Sequence, residues 1–275
     1  MMDGKVQLRI QRYGWDAAAR FYHQDWEKQL RPAQDTLLGM AALQSGQSVL
    51  ETACGTGMVT MRAALATGSA GSVHATDISG QMIEEVRRNC EKASLETVSF
   101  LRTSAEALDL PDDNFDVALC ALGLMYVPNP RRAIAEMARC VRPGGRVVAT
   151  VWGERRHCGW ADIFPLIDAR VASDVCPMFF ASGAPGALKL DFEAAKLVDI
   201  REARQAEVLY FASGTDLTRA IMLGGPVAMA VKRFDEKVLG AVCAEFLASV
   251  STFQSPDGSY SIPGEFVTVS GTVPD

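Results

Sequence analysis

Ser48-Val-Leu-Glu-Thr-Ala-Cys-Gly-Thr-Gly57 joins an apolar run to a turn of small residues, and Met58, Met61, Arg62 and Leu65 follow at spacings of three and four. Val49 and Leu50 read as the end of a buried strand, and the period from Met58 onward as a helix. Glycine serves the turn between them because it lacks a Cβ and tolerates positive φ. Strand, glycine turn and helix make the opening unit of a nucleotide-binding α/β domain, in which backbone passes close to a ligand.

The same alternation continues downstream. Residues 72–77 read as a second strand ending on the carboxylate of Asp77, and a helix from Ser79 carries Ile83, Val86 and Cys90 on one face. Residues 98–101 form a third strand, and 115–121 a fourth that is apolar enough to be buried on both faces. Pro130 suits the first turn of a helix whose inner stripe is Ile134, Met137, Ala138 and Val141, and Pro143-Gly144-Gly145 is expected to stop it. Residues 146–152 give a fifth strand. Strands alternating with helices predict a doubly wound, mainly parallel sheet.

Upstream, residues 13–44 predict two helices with a restart at Pro32. Their aromatic face (Tyr13, Trp15, Phe21, Tyr22, Trp26) has no place in the sheet and is expected to fold over the ligand as a lid. After Trp152 the pattern loosens. A helical run at 160–173, a helix at 186–196, a strand-like segment at 198–211 and a helical region at 214–250 broken at Gly224-Gly225-Pro226 precede a loop at 255–264. The alternating stretch 265–271 predicts a last strand. No internal repeat or linker interrupts the chain. It reads as one domain over 1–275, with lid helices at 13–44, a cofactor-binding core at 48–152, a substrate cap with late sheet elements at 153–250, and the last strand at 265–272.

Composition narrows the partners. The 275 residues are 48% hydrophobic and 22% charged, with a formal net charge of −6, and phosphate-neutralising proteins carry a basic face instead. Only the arginine pairs at 131–132 and 155–156 offer a basic patch, so no nucleic-acid partner is expected. The seven cysteines are scattered, with no CxxC spacing, which argues against a zinc-finger pattern and predicts no metal. Free cysteines, no apolar leader at the N-terminus and no run of ~18 apolar residues predict a cytoplasmic protein with no membrane partner. A homodimer is left open.

Four features share spacings that one ligand requires. The turn has Gly55 and Gly57 but Thr60 where a dinucleotide fingerprint wants a third small residue, which argues against a pyrophosphate. Glu51, at the end of the first strand, repels pyrophosphate and suits a ligand carrying an ammonium group. Asp77, 20 residues past Gly57, stands where a carboxylate accepts ribose hydroxyls. The loop Thr103-Ser-Ala-Glu106 follows the third strand. With these residues, and with Thr76-Asp-Ile-Ser-Gly-Gln-Met82 and Ala135-Glu-Met-Ala-Arg-Cys-Val-Arg-Pro-Gly-Gly-Arg146, the chain resembles the class I S-adenosylmethionine-dependent methyltransferases, in the small-molecule, quinone-biosynthesis-like branch, over residues 13–152.

The resemblance implies a Rossmann-like, doubly wound mixed sheet of about seven strands, the last antiparallel, with N-terminal helices and a C-terminal helical cap insertion. It implies that Ala53, Gly55 and Gly57 let the backbone approach the methionine portion of S-adenosylmethionine, with Glu51 near its amino group. By the same resemblance Asp77 takes the ribose hydroxyls, Ile78 and Met82 pack on adenine, Ser104 and Ala105 meet the adenine edge, and Ala121 borders the methionine tail. The expected reaction is methyl transfer to a small, fairly apolar acceptor, leaving S-adenosylhomocysteine, with O-, N- and C-methylation all open. The alternatives are a nicotinamide-dependent oxidoreductase and a catalytically idle S-adenosylmethionine-binding protein. His74 lies inside the second strand and is expected to be structural. His23, His157, Tyr22 and Tyr126 are polar groups within reach of the pocket, and none receives a catalytic assignment. By the same resemblance, Met125 stands where several relatives carry His or Gln.

Overall fold

A computed structural model describes residues 4–171 and 179–275, so Cys176, Pro177 and the end of the expected 160–173 helix lie outside the described residues. Seven strands form one sheet in the order β3-β2-β1-β4-β5-β7-β6. They are β1 (Ser48–Thr52), β2 (Ser72–Asp77), β3 (Val98–Arg102), β4 (Phe115–Ala121), β5 (Val141–Trp152), β6 (Val198–Phe211) and β7 (Tyr260–Thr272). The first five are parallel, and β7 runs antiparallel to both β5 and β6. Parallel strands covered on both faces should be apolar throughout, and six of the seven residues of β4 are buried.

Helices α1 (Gly4–Ala41), α2 (Met58–Thr67), α3 (Gly80–Lys92), α4 (Pro130–Cys140), α5 (Ile163–Asp168), α6 (Ala187–Ala194), α7 (Gly214–Met222), α8 (Ala228–Val231) and α9 (Glu236–Ser249) cover the sheet. Local chemistry sets their starts. Ser79 Oγ accepts the Met82 N–H at 3.1 Å and caps α3, and Asn129 Oδ1 does the same for Arg132 ahead of Pro130. No helix among the described residues is long and apolar enough to cross a membrane.

Three boundaries differ from the sequence reading. One helix runs through Pro32, where two were expected. An interior proline costs about 3 kcal/mol, but Trp26, Leu30 and Ala33 bury in one core cluster and Leu37 and Ala41 in a second, so a break would strand one group or the other. The Pro143-Gly144-Gly145 turn belongs to β5 rather than to a loop. The helix ends at Cys140, Val141 already pairs with Phe115, and the register shifts before Val117. The last strand begins at Tyr260, inside the segment expected as a loop, because β6 pairs with it as far as Phe211 opposite Tyr260.

Candidate active site

The sheet's strand order reverses between β1 and β4, and ligands of open α/β sheets bind at the C-terminal ends of strands beside such a switch point. There the structure holds a pocket that opens to solvent. Its sheet side is Ala53 and Gly55 after β1, Asp77 and Ile78 after β2, Thr103, Ser104 and Ala105 after β3, and Ala121, Leu122 and Gly123 after β4. Met82 closes the floor, and Leu8, Gln11, Trp15 and Tyr22 of α1 form the outer wall.

Asp77 is the charged group of this lining. Its Oδ2 accepts the Gly55 N–H at 2.9 Å and its Oδ1 the Ser79 N–H at 2.8 Å. Burial pushes its pKa up to about 6 against the pull of backbone donors at Ser79, Gly55 and Ile78, and nearby Asp16 adds to the rise. Asp16 itself ties α1 to the start of α3, since its Oδ1 accepts the Ser79 hydroxyl at 2.6 Å and the Gln81 N–H at 3.2 Å.

Eight of the ten expected cofactor residues thus share one lining, and Glu51 and Gly57 do not. Glu51 is 1% exposed and its Oε2 accepts the Thr60 hydroxyl at 2.5 Å. Thr60 therefore stands at the third fingerprint position as the partner of a buried acid. Burial raises the Glu51 pKa to about 8 despite that hydrogen bond, with Asp77 adding to the rise. Gly57 adopts φ 89°, and a Cβ there would fall 2.4 Å from Val86 Cγ2, so the glycine lets α3 pack under the turn. Ala53 holds φ 53° where glycine is commoner, and its Cβ occupies the space a side chain at Gly123 would need, 2.4 Å away.

A second, smaller cavity adjoins the first. Trp15, Tyr22, Leu122 and Tyr126 line both. The rest of its lining comes from Trp26 and Leu30 of α1, Trp152 at the end of β5, Trp160 and Ile163, Ile221 near the end of α7, and residues 224–227 ahead of α8. Trp15 packs edge-on against Tyr22 and Tyr126, with centroids 5.5 and 4.9 Å away. No Asp, Glu, His, Lys or Arg appears in this lining. The Tyr22 phenol is raised above its ordinary value by burial first and by Asp77 second, so it stays protonated at neutral pH.

The histidines lie elsewhere. His23 Nδ1 sits 3.0 Å from Thr56 Oγ1 and braces the glycine turn from α1. His157 Nδ1 lies 2.9 Å from Glu265 Oε1 and joins Glu154 in the one metal-like cluster found among the described residues. Glu265 Oε2 there already takes the Arg204 guanidinium at 2.7 Å and the Glu154 N–H at 2.8 Å, which makes the cluster a strut between β7 and the loop after β5. His74 pairs with Ser99 across β2 and β3, the structural place expected for it. Sequence reasoning named the aromatic face of α1 but missed Leu8 and Gln11, and it missed Gly123 and Val127 as lining. Leu8 and Gln11 lie far from any strand and carry no local signal, whereas Gly123 and Val127 follow the end of β4, a position that could have marked them.

Residues 49–145 match the model of a methyltransferase domain. The ubiquinone/menaquinone biosynthesis C-methyltransferase UbiE of Shewanella pealeana is 34% identical over 118 residues, 42% of this chain and 47% of the relative. The demethylmenaquinone methyltransferase of Shouchella clausii is 34% identical over 126 residues, 46% of this chain and 51% of the relative. The chain spans about half the length of the curated relatives it matches. The YcgJ protein of Bacillus subtilis shares the fold at TM-score 0.61 and 18% identity, covering 89% of this chain and 99% of that one. Phosphoethanolamine N-methyltransferase 2 of Haemonchus contortus, solved with S-adenosyl-L-methionine, does so at TM-score 0.64 and 13% identity, over 100% of this chain and 61% of that one. The nicotinamide-dependent alternative finds no support in the domain match, and Thr60 argues against it chemically.

Proposed function

We propose that this chain, built on a class I S-adenosylmethionine-dependent methyltransferase core, transfers a methyl group from S-adenosylmethionine to a small, largely apolar acceptor. The observation that carries this reading is the pair of cavities meeting at Trp15, Tyr22, Leu122 and Tyr126, with Asp77 on one side and no ionised side chain on the other.

The first cavity suits the cofactor. Asp77 offers a carboxylate to a vicinal diol, Ile78 and Met82 offer an apolar plate to a purine, and Thr103 and Ser104 offer polar atoms to its edge. Gly55 leaves the turn bare beside Tyr22, whose ring would lie 3.5 Å from a Cβ built there. Glu51 lies beneath the lining, where it supplies negative potential toward an ammonium group once ionised. When bound, the cofactor supplies an electrophilic methyl on a sulfonium. The protein's part is then to hold a nucleophile in line and keep water out, and positioning of this kind is worth ~7–11 kcal/mol. Tyr22 and Tyr126 are the titratable groups at the shared wall, and Tyr22, protonated at working pH, acts as a hydrogen-bond donor rather than a base. The acceptor must therefore attack without help from a carboxylate or imidazole.

Calorimetric titration with S-adenosylmethionine tests the cofactor reading. Asp77→Ala should weaken binding by at least ~100-fold, since it removes an ionised acceptor from buried hydroxyls. Undiminished binding in that variant, or tight NADH binding without S-adenosylmethionine binding, would overturn it. Release of S-adenosylhomocysteine across a panel of phenols, quinols, amines and carboxylic acids separates an enzyme from an idle binder. Six described cysteines without disulfide partners, five of them buried, support a reducing compartment.

A further inference from the structure

The second cavity is walled by rings, and two of its indoles differ in how their N–H groups are used. Trp26 Nε1 donates to the Ala220 carbonyl at 3.2 Å. Trp160 is 2% exposed, and its Nε1–H meets no acceptor among the described residues. Its neighbours are Trp152, Phe164, Phe179 and Phe180, with ring centroids 4.9 to 5.9 Å away. None of these side chains carries an oxygen. Leaving a buried donor unpaired costs about 1–3 kcal/mol, and upwards of ~90% of buried polar groups in native structures are paired. Volume alone does not call for that cost, because phenylalanine would line the same wall without it.

We propose that the Trp160 indole N–H is the specificity-determining donor of the acceptor cavity, and that it receives a neutral oxygen, a carbonyl or ether, on an otherwise apolar ring compound. This rests on the cavity's role in the proposed function. A carboxylate or phosphate is the wrong class of group here, since no Lys, Arg or His lines the cavity and an unpaired buried charge is far more costly than a hydrogen-bonded neutral dipole. A pure hydrocarbon fills the space but leaves the N–H as it is. Selectivity against analogues lacking the oxygen follows, as it does wherever a buried polar group would otherwise stay unpaired.

1-Tetralone and tetralin are matched probes that share one bicyclic shape and differ by a single carbonyl. With the site saturated by S-adenosylhomocysteine, the indole N–H resonances of the ¹⁵N-labelled protein are followed as each probe is added, and Trp160→Phe identifies the Trp160 signal. Tetralone should move that signal downfield and bind about 10-fold or more tightly than tetralin, and Trp160→Phe should bring the two affinities together. A Trp160 signal that tetralone leaves in place, or a tetralone preference that survives in Trp160→Phe, overturns the proposal. Failure of both probes to bind overturns it together with the acceptor role of the cavity. S-adenosylhomocysteine binding is titrated separately, so failure of the cofactor reading shows there and not in the probe ratio. If Trp160→Phe does not fold, Trp160→Tyr identifies the signal and the wild-type shift decides.

Discussion

Glu51 shows how one buried group links sequence, stability and cofactor. It is expected near the ammonium group of a ligand, and it lies outside the pocket lining with Thr60 as its hydrogen-bond partner. Its pKa rises from the ordinary 4.5 to about 8, chiefly through burial. Below about 4.5 the group is protonated in folded and unfolded chains alike. Between there and about 8 the folded chain holds a proton that the unfolded chain gives up, so stability is present at low pH and is lost as pH rises through that window. Glutamine keeps the acceptor for Thr60 and cannot ionise. Glu51→Gln should therefore match the parent near pH 4.5 and exceed it near pH 8.5 by about 2–5 kcal/mol in denaturant unfolding without ligand. A smaller slope between about 4 and 6 should remain in the variant, since Asp77 is raised in the same direction. Parallel pH curves for parent and variant would show that Glu51 titrates normally.

Among the elements, α1 departs furthest from what its sequence announces. Pro32 removes the hydrogen bond to the Lys28 carbonyl and crowds that turn, and local rules place a helix boundary there. Burial of Trp26 and Leu30 before it, and of Ala33, Leu37 and Ala41 after it, overrides the local preference. Pro32→Ala should then stabilise the protein by about 1–3 kcal/mol, read as a rise in thermal midpoint with unchanged S-adenosylmethionine affinity. A fall in midpoint would mean that the proline bend itself is required for packing. The same contrast explains what the sequence made legible. Elements β1, β2 and β4 and their following turns follow from periodicity and glycine placement, because a buried parallel strand constrains every residue in it. The late strand β7 starts five residues before the expected 265 because pairing with β6, a long-range event, extends it across Ser261, Ile262 and Pro263. Pocket residues on loops after strands could be located from β-strand ends alone. Those on α1 depend on which way a helix lies across the sheet, and no local pattern specifies that.

At the scale of the molecule, the first pocket is assembled from two sources, the central sheet and α1. Its inner half lies on the ends of β1, β2 and β4 in the middle of the sheet, and its outer half is the first five turns of α1. Beyond Ala18 that helix is anchored by the two core clusters and by Asp25, whose carboxylate takes two guanidinium bonds from Arg219 of α7 at 2.9 and 2.7 Å. Before Gly14 its buried residue is Gln11, and Lys5 and Arg9 are exposed. Such a segment opens locally at low free-energy cost. A ligand touching Leu8, Gln11 and Trp15 binds the closed helix only, so at 100 times its dissociation constant it should suppress opening by up to ~100-fold. Trypsin cleavage after Lys5 and Arg9, when slow relative to reclosing, follows that opening equilibrium. Saturating S-adenosylhomocysteine should therefore slow cleavage at these two sites by at least ~10-fold, while Arg155 and Arg156, exposed in the loop after β5 and outside both cavity linings, are cut at an unchanged rate. Equal slowing at all four sites would indicate global stabilisation in place of a closing wall, and unchanged cleavage at Lys5 and Arg9 would remove α1 from the cofactor site.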